Sequence, residues 1–352
     1  MGELLFCVSL FLVKGVGPAR FRMLIDEFGS PENVFTADPK KLRRFLPEKT
    51  VRELKQFDHK ISEKIIKKTD LIGAKIICLN FPEYPEKLKP FSYSPPLLWV
   101  KGDLNCLNGI TIGVVGTRKP SLYGIRMTKK IVEALVEAGF VIISGGAYGI
   151  DTVAHRTALE SGGKTIAILG SGLDVPYPAR NKKLFEEISR SGAVISEYPP
   201  GTGPNAENFP RRNRIISALS DALLVMEAGA SSGALLTARW ALDQGKEIFS
   251  LPGPIDSEKS TGTNRLIKEG ARIITDVEDI LEEFGLGSVK TKSVSLSPQE
   301  QRVYEKLSNE PVHIDRLLIE LEMDITELLS ILLGLELKGL VQQIPGKYYV
   351  KL

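Results

Sequence analysis

The chain has 352 residues, which at roughly 150 residues per domain suggests two or three domains. Hydrophobic residues make up 43% and charged residues 25%, with a net charge of +3, the profile of a globular chain with ample material for a core. The longest apolar stretch, residues 4–13, is too short to span a bilayer and lacks the basic start and cleavage site of a leader, and Phe6 stands where a myristoylation signal needs Ser or Thr, so neither a membrane nor a secreted protein is expected.

Cys7, Cys78 and Cys106 lie far apart with no CxxC spacing, so neither a disulfide framework nor a zinc knuckle is expected. His59, His155 and His313 make no local metal-ligand cluster, and no cofactor is expected. Such sparing cysteine use fits a reducing cytoplasm.

Residues 1–70 read as short helices and hold 14 basic against 10 acidic side chains. Within them Gly15-Val16-Gly17-Pro18 separates two amphipathic runs. That turn resembles a helix-hairpin-helix, whose glycine N–H groups can meet a DNA phosphate, and it serves equally as a plain tight turn. Residues 71–109 contain Pro82, Pro85, Pro90, Pro95 and Pro96 and read as a connector packing on the core, with some extended backbone.

From residue 110 to 285 the rhythm changes. Short apolar, β-branched runs at 110–117, 140–144, 165–170, 193–197, 222–227, 247–251 and 272–275 alternate with amphipathic helical stretches. That alternation predicts an α/β fold, a doubly wound parallel sheet covered on both faces. Residues 286–297, rich in Ser, Lys and Gly, read as a linker. Residues 298–352 give three helical runs and a hairpin turning at Pro345-Gly346, the winged-helix pattern. Its third run, 324–338, sets Asp324, Glu327 and Glu336 against Lys338 and is otherwise rich in Leu, so it is expected to meet protein, or the rest of the chain, rather than DNA.

Two nucleotide motifs fail on context. Gly162-Gly163-Lys164-Thr165 puts Ala158 where a P-loop needs its first glycine, and its Lys precedes a strand instead of opening a helix. Gly170-Ser171-Gly172 has Val175 in place of the third glycine of a dinucleotide fingerprint. His155 follows Asp151 by one helical turn, but no nucleophile is tied to the pair, and a satisfied core or surface histidine is the simpler reading.

What remains is a series of small-residue loops at the carboxyl ends of successive strands. They are Gly116-Thr117-Arg118, Ser144-Gly145-Gly146-Ala147-Tyr148-Gly149-Ile150-Asp151, Gly170-Ser171-Gly172 and the stretch from Glu227 to Gly233 that includes Ser231 and Ser232. Ligands of open α/β sheets bind at that edge, where free N–H groups and helix N-termini favour an anion. Phe209-Pro210-Arg211-Arg212-Asn213-Arg214 adds three guanidinium groups and a ring without an acid, and residues 113–132 carry Arg118, Lys119, Arg126, Lys129 and Lys130, again without one. Arginines neutralise phosphates and a ring stacks an unpaired base, so the pattern describes a groove for single-stranded nucleic acid.

Together these motifs resemble the DNA-processing protein A family (DprA, also called Smf) over nearly the whole chain. The resemblance implies a sterile-alpha-motif-like or hairpin helical N-terminus, an extended Rossmann core and a winged-helix tail. It further implies a non-enzymatic protein that binds and protects incoming single-stranded DNA during natural transformation and loads the RecA recombinase, displacing single-strand-binding protein. It implies a homodimer formed through the Rossmann core, for which Leu266 and Ile267 are candidate apolar anchors. The family's DNA contacts carry over to Arg118 and Phe209, whereas a basic residue that some members hold three positions earlier is Ala206 here. The competing class is a nucleotide phosphoribohydrolase of the lysine-decarboxylase-like group. Its P-G-G-x-G-T-x-x-E strand end is matched here by the segment from Glu227 to Ala238, which ends without the downstream carboxylate.

Overall fold

The computed structural model describes residues 2–286, 296–308 and 310–351, in two compact units divided between residues 289 and 290. The linker expected over 286–297 lies outside the described residues except for 286, 296 and 297.

The first unit begins with helices α1 (Gly2–Leu12), α2 (Pro18–Phe28), α3 (Pro31–Thr36), α4 (Pro39–Leu42), α5 (Glu48–Lys55) and α6 (His59–Leu71). Ser30, Asp38 and Asp58 cap α3, α4 and α6 by accepting backbone N–H groups, and Pro stands at the start of α2, α3 and α4, which explains how such short helices hold. Between α1 and α2, Gly15 takes φ +88°, and a Cβ there would lie 2.6 Å from Thr50 Oγ1, so the turn seats itself against α5.

Strand β1 (Lys75–Cys78) pairs antiparallel with β2 (Leu97–Gly102), and β2 pairs antiparallel with β6 (Ala193–Ser196). The segment read as a connector therefore adds two strands to the sheet. Each carries only a few apolar residues, and the prolines from Pro82 to Pro96 fill the stretch between them, so neither stands out by its period. β3 (Thr111–Val115), β4 (Val141–Ser144), β5 (Thr165–Leu169), β7 (Ala222–Val225), β8 (Glu247–Ser250) and β9 (Arg272–Ile273) complete a nine-stranded sheet in the order β1-β2-β6-β5-β4-β3-β7-β8-β9. From β6 to β9 every pairing is parallel. Helices α7 (Leu122–Glu137), α8 (Ile150–Glu160), α9 (Lys182–Ser191), α10 (Asn208–Leu219), α11 (Gly233–Asp243), α12 (Thr261–Lys268) and α13 (Glu278–Glu283) follow the strands, and apolar clusters fill the unit on both faces of the sheet.

Chain order reverses at β3, which pairs with β4 on one side and β7 on the other. The loops leaving β3 and β7 therefore diverge to opposite faces and open a crevice at their carboxyl ends.

The N-terminal helices are fastened to β2. Trp99 is fully buried, its indole N–H donates to Thr69 Oγ1 of α6 at 3.1 Å, and Phe11 of α1 meets its ring edge-on. Contrary to the expectation from spacing, Cys7 of α1 and Cys78 of β1 form a disulfide. Tertiary packing of α1 over β1 brings together cysteines 71 residues apart, which no local spacing rule detects.

The second unit has α14 (Pro298–Lys306), β10 (Val312–His313), α15 (Ile314–Leu321), α16 (Ile325–Leu337), β11 (Val341–Ile344) and β12 (Tyr348–Lys351), with a three-stranded sheet in the order β10-β12-β11 and its own apolar cluster. α16 spends Leu328, Leu332 and Leu335 on that core and leaves Ile325, Leu329, Leu333 and Leu337 exposed along one stripe.

Trp99→Ala removes the ring on which α1 and α6 rest. It should lower the unfolding free energy by about 3–5 kcal/mol in a urea titration, and an unchanged midpoint would show that the helices dock by other contacts.

Candidate nucleic-acid interface

At the crevice the structure opens a cleft of about 660 Å³. Its floor is the end of β3 and the loop Gly116-Thr117-Arg118; its walls are the starts of α8, α10 and α11. Of the residues expected from the sequence, Gly116, Thr117, Arg118, Ala147, Phe209, Arg212, Asn213, Ser232 and Gly233 line it, and Gly145 lines the adjoining recess. Ser232 caps α11 by accepting the Ala234 N–H, and Asn213 reaches the Gly233 carbonyl, which ties α10 to α11 across the cleft.

Others stand behind the lining. Ser144 is fully buried and its hydroxyl donates to the Val114 carbonyl at 2.6 Å. Gly146 gives its carbonyl to the Asn181 amide, and Gly149 opens α8 at φ +81°. These residues shape the loop and are not among those that line the cleft.

The arginine cluster divides three ways. Arg211 is exposed and does not line the cleft. Arg212 is 4% exposed; its Nη1 donates to the Gly145 carbonyl at 2.6 Å and to the Ile168 carbonyl. A Cβ on Gly145 would sit 2.5 Å from this guanidinium, so only glycine lets the cation approach the strand end. Arg214, expected to meet phosphate, instead forms a buried two-pronged ion pair with Glu197, Nη1 to Oε1 at 2.6 Å and Nη2 to Oε2 at 2.7 Å. Its charge is spent inside the fold because Glu197, distant in sequence, arrives at the end of β6. Lys119, Arg126, Lys129 and Lys130 do not line the cleft either; they lie before or along α7.

Arg118 has its guanidinium 5.7 Å from the centre of the Phe209 ring, a cation–π contact. Tyr177, which the sequence pattern did not single out, packs against Phe209 with ring centres 5.5 Å apart and lines the cleft while 42% exposed. The signal for Tyr177 was faint: an aromatic residue in the loop after β5, legible only once that loop is known to fold over the cleft.

Asp151, at the start of α8, lines the cleft too, and among the described residues lining it this is the one carboxyl group. Burial pushes its pKa up to about 6 against the opposing influence of Arg212 and of the N–H groups of Ala147 and Gly145. Burial also lowers Arg212 to about 10, still charged near neutrality. His155, fully buried and hydrogen-bonded to Thr165, is lowered to about 3 by burial and by Arg212 and stays neutral. The cleft thus joins cations, helix N-termini, the exposed Tyr177 ring and the half-buried Phe209 ring, which suits an anionic ligand with flat groups.

Comparison with known proteins decides the family. The family model for DNA recombination-mediator protein A matches residues 75–285, and that for the DprA winged helix domain matches residues 290–347. This chain belongs to the DprA/Smf family. It is 34% identical to Protein Smf of Synechocystis over 96% of both chains, and 42% identical to Protein Smf of Escherichia coli over 75% of this chain and 74% of that one. The X-ray structure of DprA from Streptococcus pneumoniae superposes with a TM-score of 0.72 at 34% identity, covering 80% of this chain and 99% of that one. A structure of Helicobacter pylori DprA, described for its single-stranded DNA binding mode, gives 0.55 at 31% identity over 60% and 95%. The α/β sheet expected from the strand rhythm, the winged-helix tail and the DprA resemblance expected from the loop motifs are thereby found.

Of the arginines around this cleft, Arg214 and Arg118 should respond differently to truncation. Arg214→Ala leaves Glu197 buried and unpaired, and should cost about 3–5 kcal/mol of stability. Arg118→Ala should leave the thermal midpoint nearly unchanged. Equal midpoints for the two variants would refute the structural role of the Arg214–Glu197 pair.

Proposed function

We propose that the chain binds single-stranded DNA in the cleft at the β3–β7 crevice, as a DNA-processing protein of natural transformation and recombination. The observation that carries this reading is the grouping of Arg118, Phe209 and Tyr177 at that point, over the N-terminal ends of α8, α10 and α11. Backbone N–H groups and guanidinium groups suit phosphates whatever the sequence, and exposed rings suit unpaired bases, which a duplex keeps stacked. Arg118, Arg212, Phe209, Tyr177 and the Ser232-Gly233 helix start are the residues we assign to contact.

The proposed role is binding rather than catalysis. Glu227, the acid that a phosphoribohydrolase reading would enlist, is 4% exposed and its carboxylate accepts the Ser121 N–H at 2.8 Å, at the start of α7. We also propose, from the family, that the chain works as a homodimer, hands DNA to RecA and displaces single-strand-binding protein. Leu266 is partly buried and packed against the core while Ile267 is half-buried, so α12 offers at most a small apolar anchor to a second copy. No helix among the described residues is long and apolar enough to cross a membrane, and a cytoplasmic place is part of the proposal. The exposed apolar stripe of α16 suits a protein surface better than a DNA groove.

A gel-shift comparison of single- and double-stranded oligonucleotides across a salt series tests the reading. Single strands should bind more tightly, with a steep salt dependence. Arg118→Ala should flatten the slope of log K against log salt by about 0.7, one phosphate contact. Tyr177→Ala should weaken binding by about 1–3 kcal/mol with the slope unchanged. Preference for duplex, or an unaltered slope in the arginine variant, would remove the cleft from the binding site.

Asp151 gives the interaction a pH dependence of definite sign. A phosphate nearby favours the neutral carboxyl, so strand binding takes up a proton and affinity should rise as pH falls from about 7.5 to about 5.5. Asp151→Asn, which keeps an acceptor for the Ala147 N–H, should bind more tightly at neutral pH and lose most of that dependence. A parent protein whose affinity is flat over this range would place the phosphates away from α8.

A further inference from the structure

We infer that the strand leaving the cleft continues across the sheet edge onto a lysine stripe of α6, so that the N-terminal helices form a second part of the DNA track; this rests on the reading of the cleft given above. Lys60, Lys64 and Lys67 are exposed on one face of α6, at i, i+4 and i+7. They rise along the axis by about 6 Å and then about 4.5 Å. Among the described residues they have no ion-pair partner, whereas the next lysine, Lys68, is bound to Asp174 at 2.8 Å.

That ion pair fixes where the stripe lies. Asp174 also accepts the Gly201 N–H at 2.7 Å, and the Gly172 N–H donates to the Thr202 carbonyl, so the loops after β5 and β6 are tied to one another and to α6. Leu173 packs into the apolar cluster of the N-terminal helices. Tyr177 lies three residues beyond Asp174, at most about 10 Å of extended chain, and it lines the cleft together with Pro204 from the second loop. From the other side α6 is held by the Trp99–Thr69 hydrogen bond. The stripe is therefore presented at a fixed place beside the Tyr177 rim, and the free ammonium groups continue the run of cations that begins at Arg118 and Arg212. A solvated helix face would have the same composition but no reason to adjoin the loops that wall the cleft.

Binding by the full chain should separate the two parts of the track by strand length. Fluorescence anisotropy across a salt series would use oligo-dT of about 5 nucleotides, enough for the cleft, and of about 20 nucleotides, enough to leave it. For the longer strand Lys64→Gln/Lys67→Gln should reduce the log–log salt slope by about 1.4, two contacts at about 0.7 each, and leave the short strand unaffected. Both lysines are exposed, so the variant should melt with the parent. Equal loss on both lengths would mean that the lysines act only through the overall field, and no loss on the long strand would mean that they do not meet it; either result overturns the track. Arg118→Ala distinguishes the failures. If it weakens both lengths while the lysine variant weakens neither, the cleft stands and the track falls. If it weakens neither length, the cleft reading itself falls.

Discussion

A guanidinium withdrawn from water costs several kcal/mol unless its N–H groups are met, and at the crevice of this sheet Arg212 is met by carbonyl oxygens at the ends of β4 and β5. Those carbonyls would otherwise point into the cleft as partial negative charges. The bound cation covers them and turns the edge toward anions, while Asp151 nearby offsets part of its charge. Gly145 has to be glycine for the cation to come so close, and α10 has to start where it does for Arg212 to reach. The amide of Asn208 fixes that start by donating to the Gly170 carbonyl at 3.0 Å. The same helix carries the half-buried Phe209 to the cleft, so one buried cation aligns the loops of β4 and β5 with that ring.

The rest of the site follows from topology. Reversal of strand order at β3 parts the chain on either side, and parallel strands place the helix starts at one edge. Backbone N–H groups thus converge without any sequence-specific side chain. Against that background Arg118 is a charge held over a ring and left facing the opening. Rings and N–H groups serve any base order, which is what the proposed binding of single strands requires.

Much of this was legible in the sequence. The parallel strands announced themselves because, apart from the short edge strand β9, their runs are apolar and buried, and the loops followed because close approach at strand ends demands small residues. β1 and β2 escaped because β2 joins the sheet through β6, some ninety residues further on, and the segment between the two strands is rich in prolines. The three arginines looked alike in composition and were not. Burial beside carbonyls, pairing with Glu197 and exposure to solvent are tertiary facts, and each sends one guanidinium to a different task. Tyr177 escaped for the converse reason, since a lone aromatic in a loop has no period and gains meaning from its neighbour Phe209 alone.

A net charge of +3 over 352 residues is too small to gather nucleic acid by bulk attraction, so placement has to replace quantity. The fold does this by removing charges as well as exposing them. Glu197 neutralises Arg214, Asp174 neutralises Lys68, and Glu227 turns its carboxylate toward the start of α7. Three acids near the sheet edge are thus withdrawn from the face that a strand would cross. Arg118 in the cleft and the lysines of α6 are among the cations left without an ion pair, and the acids that secure the Tyr177 loop are already paired. In the proposed reading, pairing inside the fold keeps these acids from repelling the strand.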